Sequence, residues 1–334
     1  MILSGARSIL ITGASGFVGS HLVATALELG YDTWATVRAT SSRRFLADKR
    51  INIIELNLND PAVLHKQLDD FSRLRNGKGW DYVVHAAGAT KARNEAEFVE
   101  ANYTATCNLV NALLALKLNP ARLVYISSLS AVEMSCGVPT GRVAPTAYGR
   151  SKFKAEEYLR SLGAELNNVI LRPTGIYGPR ERDYLLMIKS IDRHLNISVG
   201  RQPQLLSFVY VKDLCKAAFL ALSKGKSGHA YQIADGNTYT DTEFTSLIKQ
   251  MLHRQPVLHL VVPLWVLKMA CGIGEWLSHV TGHSILLNTD KYFILKQRDW
   301  RCDISEARRD LGFNADYDLT KGLAETIEYY EQEQ

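Results

Sequence analysis

Short apolar runs rich in Ile and Val recur along the first half of the chain, at Ser8 to Thr12, Thr33 to Val37, Ile51 to Leu56, Tyr82 to His85, Leu123 to Ile126 and Val169 to Leu171. Most stretches between them carry apolar residues at helical spacing. A continuous apolar run of this length suits a strand buried on both faces, whereas a half-exposed strand would alternate. Strands that alternate with helices predict an α/β fold with a parallel sheet, and right-handed crossovers make that sheet doubly wound.

After Leu171 the texture changes. Pro173, Gly175, Gly178 and Pro179 mark loops, and short mixed elements follow to the end. Residues 1–172 are therefore read as the sheet domain and 173–334 as a smaller mixed α/β substrate-binding portion, some of whose strands and helices return to the first. No Gly-, Ser- or Pro-rich linker separates them.

Composition narrows the function classes. With 46% hydrophobic and 22% charged residues in a chain of 334, disorder and coiled coil are excluded. Lys and Arg number 39 against 34 Asp and Glu, a net charge of +5 that suits a small anionic ligand and falls short of a nucleic-acid footprint. Cys107, Cys136, Cys215, Cys271 and Cys302 form no CxxC pair, and no HExxH motif occurs, so neither disulfides nor a metal is expected. Together with a first strand that leaves no room for an export signal, this predicts a cytoplasmic protein. The most apolar later stretch, Val257 to Leu277, is broken by Pro263, Lys268, Gly272, Gly274 and Glu275, so no membrane span is predicted. It is read as a packed or pocket-covering helix whose Trp265 and Trp276 belong to the core, with membrane-surface contact as the lesser reading.

The first strand ends in Thr12-Gly13-Ala14-Ser15-Gly16-Phe17-Val18-Gly19 and an apolar helix follows. In that position the first glycine permits a tight turn, the second lets backbone approach a pyrophosphate, and the third allows close helix–strand packing. The helix N-terminus adds unpaired N–H groups, so Gly13, Ser15, Gly16, Phe17 and Val18 are candidate contacts to a dinucleotide in a Rossmann-type domain. Arg38 ends the second strand, with Arg43 and Arg44 close behind, and a basic cluster there suits the 2′-phosphate of NADP. Asp32 precedes that strand and so lies at the opposite edge of the sheet. NADP is preferred, with NAD as the alternative.

Tyr148 and Lys152 stand four residues apart on a predicted helix and so project from one face. An adjacent ammonium favours phenolate and would bring a tyrosine toward a useful pKa. The strand Leu123 to Ile126 delivers Ser127 and Ser128 at its carboxyl end, where a hydroxyl can hold a carbonyl oxygen.

These motifs, in this order, resemble the extended short-chain dehydrogenase/reductase family, which includes NAD(P)-dependent epimerases and dehydratases. The resemblance rests on TGASGFVG (12–19), HAAG (85–88), NYTATCN (102–108), YISS (125–128), YGRSK (148–152), RPTGIYGPR (172–180), FVYVKD (208–213) and DWRCDISEARRDLGF (299–313). It implies that Tyr148 moves the proton, that Lys152 lowers its pKa and holds the nicotinamide ribose, and that Ser128 orients the substrate oxygen, with Ser127 and Ser130 as weaker candidates. It further implies that Ala86 and Ala87 pass the cofactor, that Asn57 and Leu58 flank the adenine, and that Asn102 lies near the cofactor. Pro173 is implied to border the nicotinamide. Asn57 stands where most members have Asp, and Ala105 where they have Gly. A homodimer through helices over Tyr103 to Leu118 and Tyr148 to Leu162 is also implied.

Sugar-nucleotide members carry Asn and Arg where this chain has Gly175 and Ser207. Loss of a charge-assisted phosphate contact costs about 1.5–3 kcal/mol, although Arg180, Arg182 or Arg201 could replace it. The pattern is closer to the dihydroflavonol reductase and hydroxysteroid dehydrogenase-like reductases. The resulting expectation is an NADP-dependent oxidoreductase that moves hydride between nicotinamide and a ketone, aldehyde or alcohol, through a Ser-Tyr-Lys triad. An NAD-dependent sugar-nucleotide epimerase/dehydratase is the alternative. A non-catalytic NADP-sensing protein is the third, and the intact triad argues against it.

Overall fold

The computed structural model describes residues 6–281 and 288–333. The first half runs β1 (Ser8–Thr12), α1 (Phe17–Glu28), β2 (Asp32–Val37), β3 (Asn52–Glu55), α2 (Pro61–Leu74), β4 (Tyr82–His85), α3 (Glu95–Phe98), α4 (Ala105–Ala115) and β5 (Arg122–Ile126). A π-helical segment, Val99–Thr104, joins α3 to α4. Next come β6 (Val132–Ser135), β7 (Val138–Val143), α5 (Ala147–Ser161) and β8 (Asn168–Pro173). The second half comprises β9 (Gly175–Tyr177), α6 (Asp183–Asp192), β10 (Leu195–Val199), β11 (Leu205–Leu206), β12 (Phe208–Tyr210), α7 (Val211–Lys224), β13 (Ala230–Ile233), β14 (Tyr239–Thr240), α8 (Asp241–Met251), β15 (Leu258–Val262), α9 (Leu264–Thr281), α10 (Thr289–Lys296), β16 (Asp299–Trp300) and α11 (Leu319–Gln332).

All six predicted strands exist and pair in parallel in a seven-stranded sheet of order β13-β8-β5-β4-β1-β2-β3. Their side chains still alternate between two cores. Ile9 and Ile11 pack with Leu22 of α1 and Leu214 of α7 on one face, while Leu10 packs with Leu64 of α2, Leu109 of α4 and Leu159 of α5 on the other. Both faces are covered by helices, which is why the strands read as unbroken apolar runs.

The seventh strand, β13, is missing from that pattern. It sits at the sheet edge, is four residues long, and alternates partly buried Ala230 and Gln232 with buried Tyr231 and Ile233. A third core joins β9, α6, β12, α8 and α11 around Tyr177, Phe208, Phe244, Leu319 and Leu323.

The chain leaves β1 toward β2 and β3 on one side and then crosses to β4 on the other, so the sheet reverses beside β1. Ligands of open α/β sheets sit beyond the strand carboxyl ends at such a reversal. Gly13, Arg38, Asn57, Ala86, Ser128 and Pro173 all fall at that edge.

Candidate active site

Gly13 has φ +67°, and a Cβ on it would lie 2.8 Å from the backbone of Ala86 and Ala87. Only glycine lets the loop after β1 touch the loop after β4. Gly16 caps α1 without any side-chain acceptor, and its own N–H turns back to Gly13 O at 2.9 Å. The first-turn N–H groups, at Phe17 and Val18, point beyond the helix with no intrahelical acceptor. A bare helix N-terminus above a loop with no room for side chains fits a dinucleotide pyrophosphate.

A chain of hydrogen bonds fixes the wall behind this loop. Asn102 O accepts from the Thr106 hydroxyl at 2.7 Å, so the Thr106 oxygen accepts from His85 Nε2 at 2.9 Å. His85 Nδ1 then accepts from the Thr12 hydroxyl at 2.7 Å, and Thr12 Oγ1 accepts from Ala87 N–H at 3.1 Å. His85 is wholly buried, and burial pulls its pKa down to about 3, so it is neutral. The Asn102 amide is also fully engaged. It donates to Ala89 O at 3.0 Å and Ser151 Oγ at 2.9 Å, and accepts from Ala89 N–H at 2.8 Å. It thereby joins the β4 loop to α5 from within the π-helical segment, a distortion common at functional sites.

Helix α5 is capped by Thr146, whose hydroxyl accepts from Gly149 N–H at 3.0 Å. Gly149 has no room for a Cβ, because the backbone of Ser130 and the side chain of Ala144 press against it. That close contact brings Tyr148 beside the serine turn that carries Ser128. The serine run is sorted by the same geometry. Ser127 Oγ donates to Glu156 Oε1 at 2.5 Å within a buried cluster that also contains Arg172 and Arg160, while Ser128 and Ser130 face the cavity.

Lys152 is 5% exposed, and its ammonium donates to Ile126 O at 3.0 Å and lies 4.8 Å above the Tyr125 ring. Burial lowers its pKa to about 8, against an upward pull from Glu156. Tyr148 differs from the sequence expectation. Its pKa is raised, chiefly by burial, with the Ser128 hydroxyl pulling the other way, while the Lys152 ammonium donates to Ile126 O.

At the adenosine edge the predicted basic cluster thins out. Arg43 pairs with Glu55 and Arg44 with Glu333, so among the described residues Arg38 alone of the three makes no ion pair. Asp32, at the far edge, accepts from Trp34 Nε1 and Asn52 Nδ2. Asn57 Oδ1 accepts from Asn59 N–H, and Asn108 Nδ2 donates to Leu58 O, holding the β3 turn. Lys91 and Arg93 are paired with Asp183 and Glu97.

A cavity of about 470 Å³ opens from Ser128 and Pro173 into the second half of the chain. Its apolar wall includes Leu129, Met187, Leu206, Phe208, Phe244 and Trp300. Glu181, Asp183 and Asp241 also line it, and among the described residues its wall holds a single ammonium, Lys291, and no arginine. Arg180, Arg182 and Arg201 are thus not among its walls. Arg180 bonds to Ser20 and stacks 4.2 Å from Phe45 on the cofactor side. Gly175 and Ser207 both line the cavity, but the Tyr184 hydroxyl fills the space beside Gly175, and the Ser207 hydroxyl donates to Asn237 O at 2.9 Å.

Two site groups escaped the sequence reading. Asp290 of α10 accepts the N–H groups of Ala147 and Tyr148 at 2.9 and 3.0 Å, a contact across more than 140 residues that leaves no local signature. Asn196 is 5% exposed, lines the cavity, and its Oδ1 has no partner among the described residues. The same described residues contain no group of three or more His, Cys, Asp or Glu able to hold a metal, and His283, four residues after His279, lies outside them. No described helix is long and apolar enough to cross a membrane.

The chain belongs to the NAD-dependent epimerase/dehydratase family, whose model matches residues 9–234. It is an enzyme of the extended short-chain dehydrogenase/reductase type. It is 25% identical to a ceramide reductase of Caulobacter vibrioides over 96% of this chain and 94% of that one. A 4-hydroxy-2-methyl-3-oxo-4-farnesyl-3,4-dihydroquinoline-1-oxide ketoreductase of Stigmatella aurantiaca is 25% identical over 94% and 93%. A UDP-glucose 4-epimerase of Vibrio cholerae is 24% identical over 98% and 96%. The fold matches that of a UDP-glucose 4-epimerase from Thermotoga maritima with a TM-score of 0.78 at 20% identity, over 98% and 99%.

Proposed function

We propose that the protein is an NADPH-preferring reductase of a largely apolar carbonyl compound, or a dehydrogenase of the matching alcohol. The observation that carries this reading is the charge of the cavity wall. Among the described residues the wall holds no arginine and one ammonium, Lys291, while Asp183 is already paired with Lys91 and Glu181 and Asp241 accept backbone N–H groups, so the diphosphate of a sugar nucleotide would find no guanidinium to pair it. Tyr184 beside Gly175 takes up room that such a substrate would need. The names of two relatives, a ceramide reductase and a farnesyl-bearing ketoreductase, point to apolar substrates in the same direction.

In this reading NADPH, held by Gly13, Ser15, Gly16, Phe17 and Val18, with Arg38 at its 2′-phosphate, supplies the hydride. Ala86, Ala87 and Pro173 border its nicotinamide half, Asn57 and Leu58 flank its adenine, and Asn102 holds the loop beside it. Ser128 donates a hydrogen bond to the substrate carbonyl oxygen, and Tyr148 gives that oxygen its proton. A raised tyrosine pKa keeps the phenol protonated and ready to donate, which suits the reducing direction. Lys152, held beside Ile126 O, would meet the nicotinamide ribose.

The test is NADPH oxidation with a panel of long-chain and polycyclic ketones and aldehydes, alongside identification of any nucleotide released on denaturation. Turnover with an apolar ketone, lost at least about 100-fold in Tyr148→Phe, is the expected result. Tightly retained NAD⁺, and no net cofactor consumption with any carbonyl, would transfer the protein to the epimerases.

A further inference from the structure

Helix α9 is apolar on two opposite faces. Leu267 and Cys271 are buried at 5% and 1%, whereas Trp265, Met269, Ile273 and Trp276, at helical spacing on the other side, are 56–67% exposed. The expectation that these tryptophans pack in the core is overturned. A surface helix ordinarily turns charge toward water, yet α9 carries only Lys268 and Glu275, and Glu275 accepts a hydrogen bond from Thr289. Strand β15, which feeds α9 through Pro263, exposes Leu258, Leu260 and Val261, and its partner β10 exposes Ile197.

Strands β10 and β15 also bound the cavity. Ile197 and His259 are exposed and line it at once, so it reaches the surface on this face, while α10, packed on α9, contributes Lys291, Ile294 and Leu295. We propose that the β15–α9 face seats the protein on an anionic phospholipid surface, so that an apolar substrate passes from the bilayer into the cavity past Ile197. The helix is set to lie in the plane of the interface, as amphipathic helices with a tryptophan-bearing apolar face do.

Three features favour lipid over a second copy of the chain. The stripe begins and ends in tryptophan, whose apolar ring and polar N–H suit the headgroup boundary. The exposed charges of the α9–α10 pair include Lys268 and Lys296, whereas both of its acidic residues are hydrogen-bonded within the chain, Glu275 to Thr289 and Asp290 to the start of α5. A second copy on this face would also cover the mouth of the cavity. The proposal rests on the apolar-substrate reading only for the use made of the surface, because lipid binding is measured without turnover.

The test is co-sedimentation of the full chain with phosphatidylcholine vesicles, with and without phosphatidylglycerol. Wild type should bind the anionic vesicles, and Trp265→Ser with Trp276→Ser should lower the bound fraction at least ten-fold while NADPH affinity and the urea midpoint stay unchanged. Lys268→Glu with Lys296→Glu should weaken binding to anionic vesicles alone. Equal sedimentation of wild type and the tryptophan variant, or none by wild type, overturns the proposal. A dimer in light scattering that dissociates in the tryptophan variant, with no vesicle binding, reassigns the face to a second copy. Vesicle binding without reduction of any apolar carbonyl leaves the lipid surface standing and removes the substrate reading.

Discussion

Thr12 and His85 meet through a 2.7 Å hydrogen bond in which the threonine hydroxyl donates to Nδ1. The bond ties the end of the strand that carries the phosphate loop to the strand that carries the Ala86–Ala87 wall, and it requires a neutral imidazole.

That requirement sets an acid sensitivity. His85 titrates near 3 in the fold against about 6.5 in an open chain, so between these values the unfolded chain binds more protons and stability falls as pH drops. The loss reaches up to about 1.4 kcal/mol per pH unit. His85→Gln should cost about 1–3 kcal/mol at pH 7.5 and flatten the acid slope, as read by urea denaturation at pH 7.5 and 5. His21, pulled down to about 4 chiefly by burial, retains its own share.

Ser127 and Ser128 are neighbours with different duties. Ser127→Ala removes one of several donors to Glu156 and should cost about 1 kcal/mol of stability with turnover little changed. Ser128→Ala should leave stability unchanged and lower kcat about 100-fold. Reversal of the two effects would move the substrate oxygen to Ser127.

Arg38→Ala should weaken NADPH binding by about 1.5–3 kcal/mol, the range for a hydrogen bond to a charged group, and leave NADH binding unaltered. Asp32→Asn, at the opposite sheet edge, should change neither. Fluorescence titration with both cofactors decides it. Equal losses for both cofactors would place Arg38 at the pyrophosphate or in the fold.

Lys152 carries its proton with a pKa of about 8 because it is buried. Its depressed value means that the folded chain gives up this proton between about 8 and the ordinary lysine range near 10.4 while the unfolded chain keeps it. NADPH affinity should therefore decline as pH rises through about 8, and Lys152→Met should lose that inflection. A flat profile up to pH 9.5 would show that the ammonium plays no part in holding the cofactor.

The sheet was legible because β1, β2, β4, β5 and β8 are covered on both faces, and double burial writes itself as an apolar run. The edge strand β13 wrote no such run. The tight turn at Gly13 and the placement of Tyr148 and Lys152 on one helix were legible because each depends on a short spacing. Asp290, Asn196 and Tyr184 act through contacts that the tertiary fold alone creates, and the pairing of Arg43 with Glu55 depends on two strands meeting. Trp265 and Trp276 were misplaced because an apolar stripe reads alike whether protein or solvent faces it.

The two bonds from Asp290 to the first turn of α5 have a consequence for how this enzyme can diversify. They bolt α10, which lines the cavity, to the helix that carries Tyr148. A graft of residues 264–300 from a relative with another substrate would carry its own register into the start of α5, so specificity and proton delivery would travel as one heritable module. Chimeras that keep an acidic side chain at position 290 should stay active, and those that lose it should bind substrate yet turn over slowly.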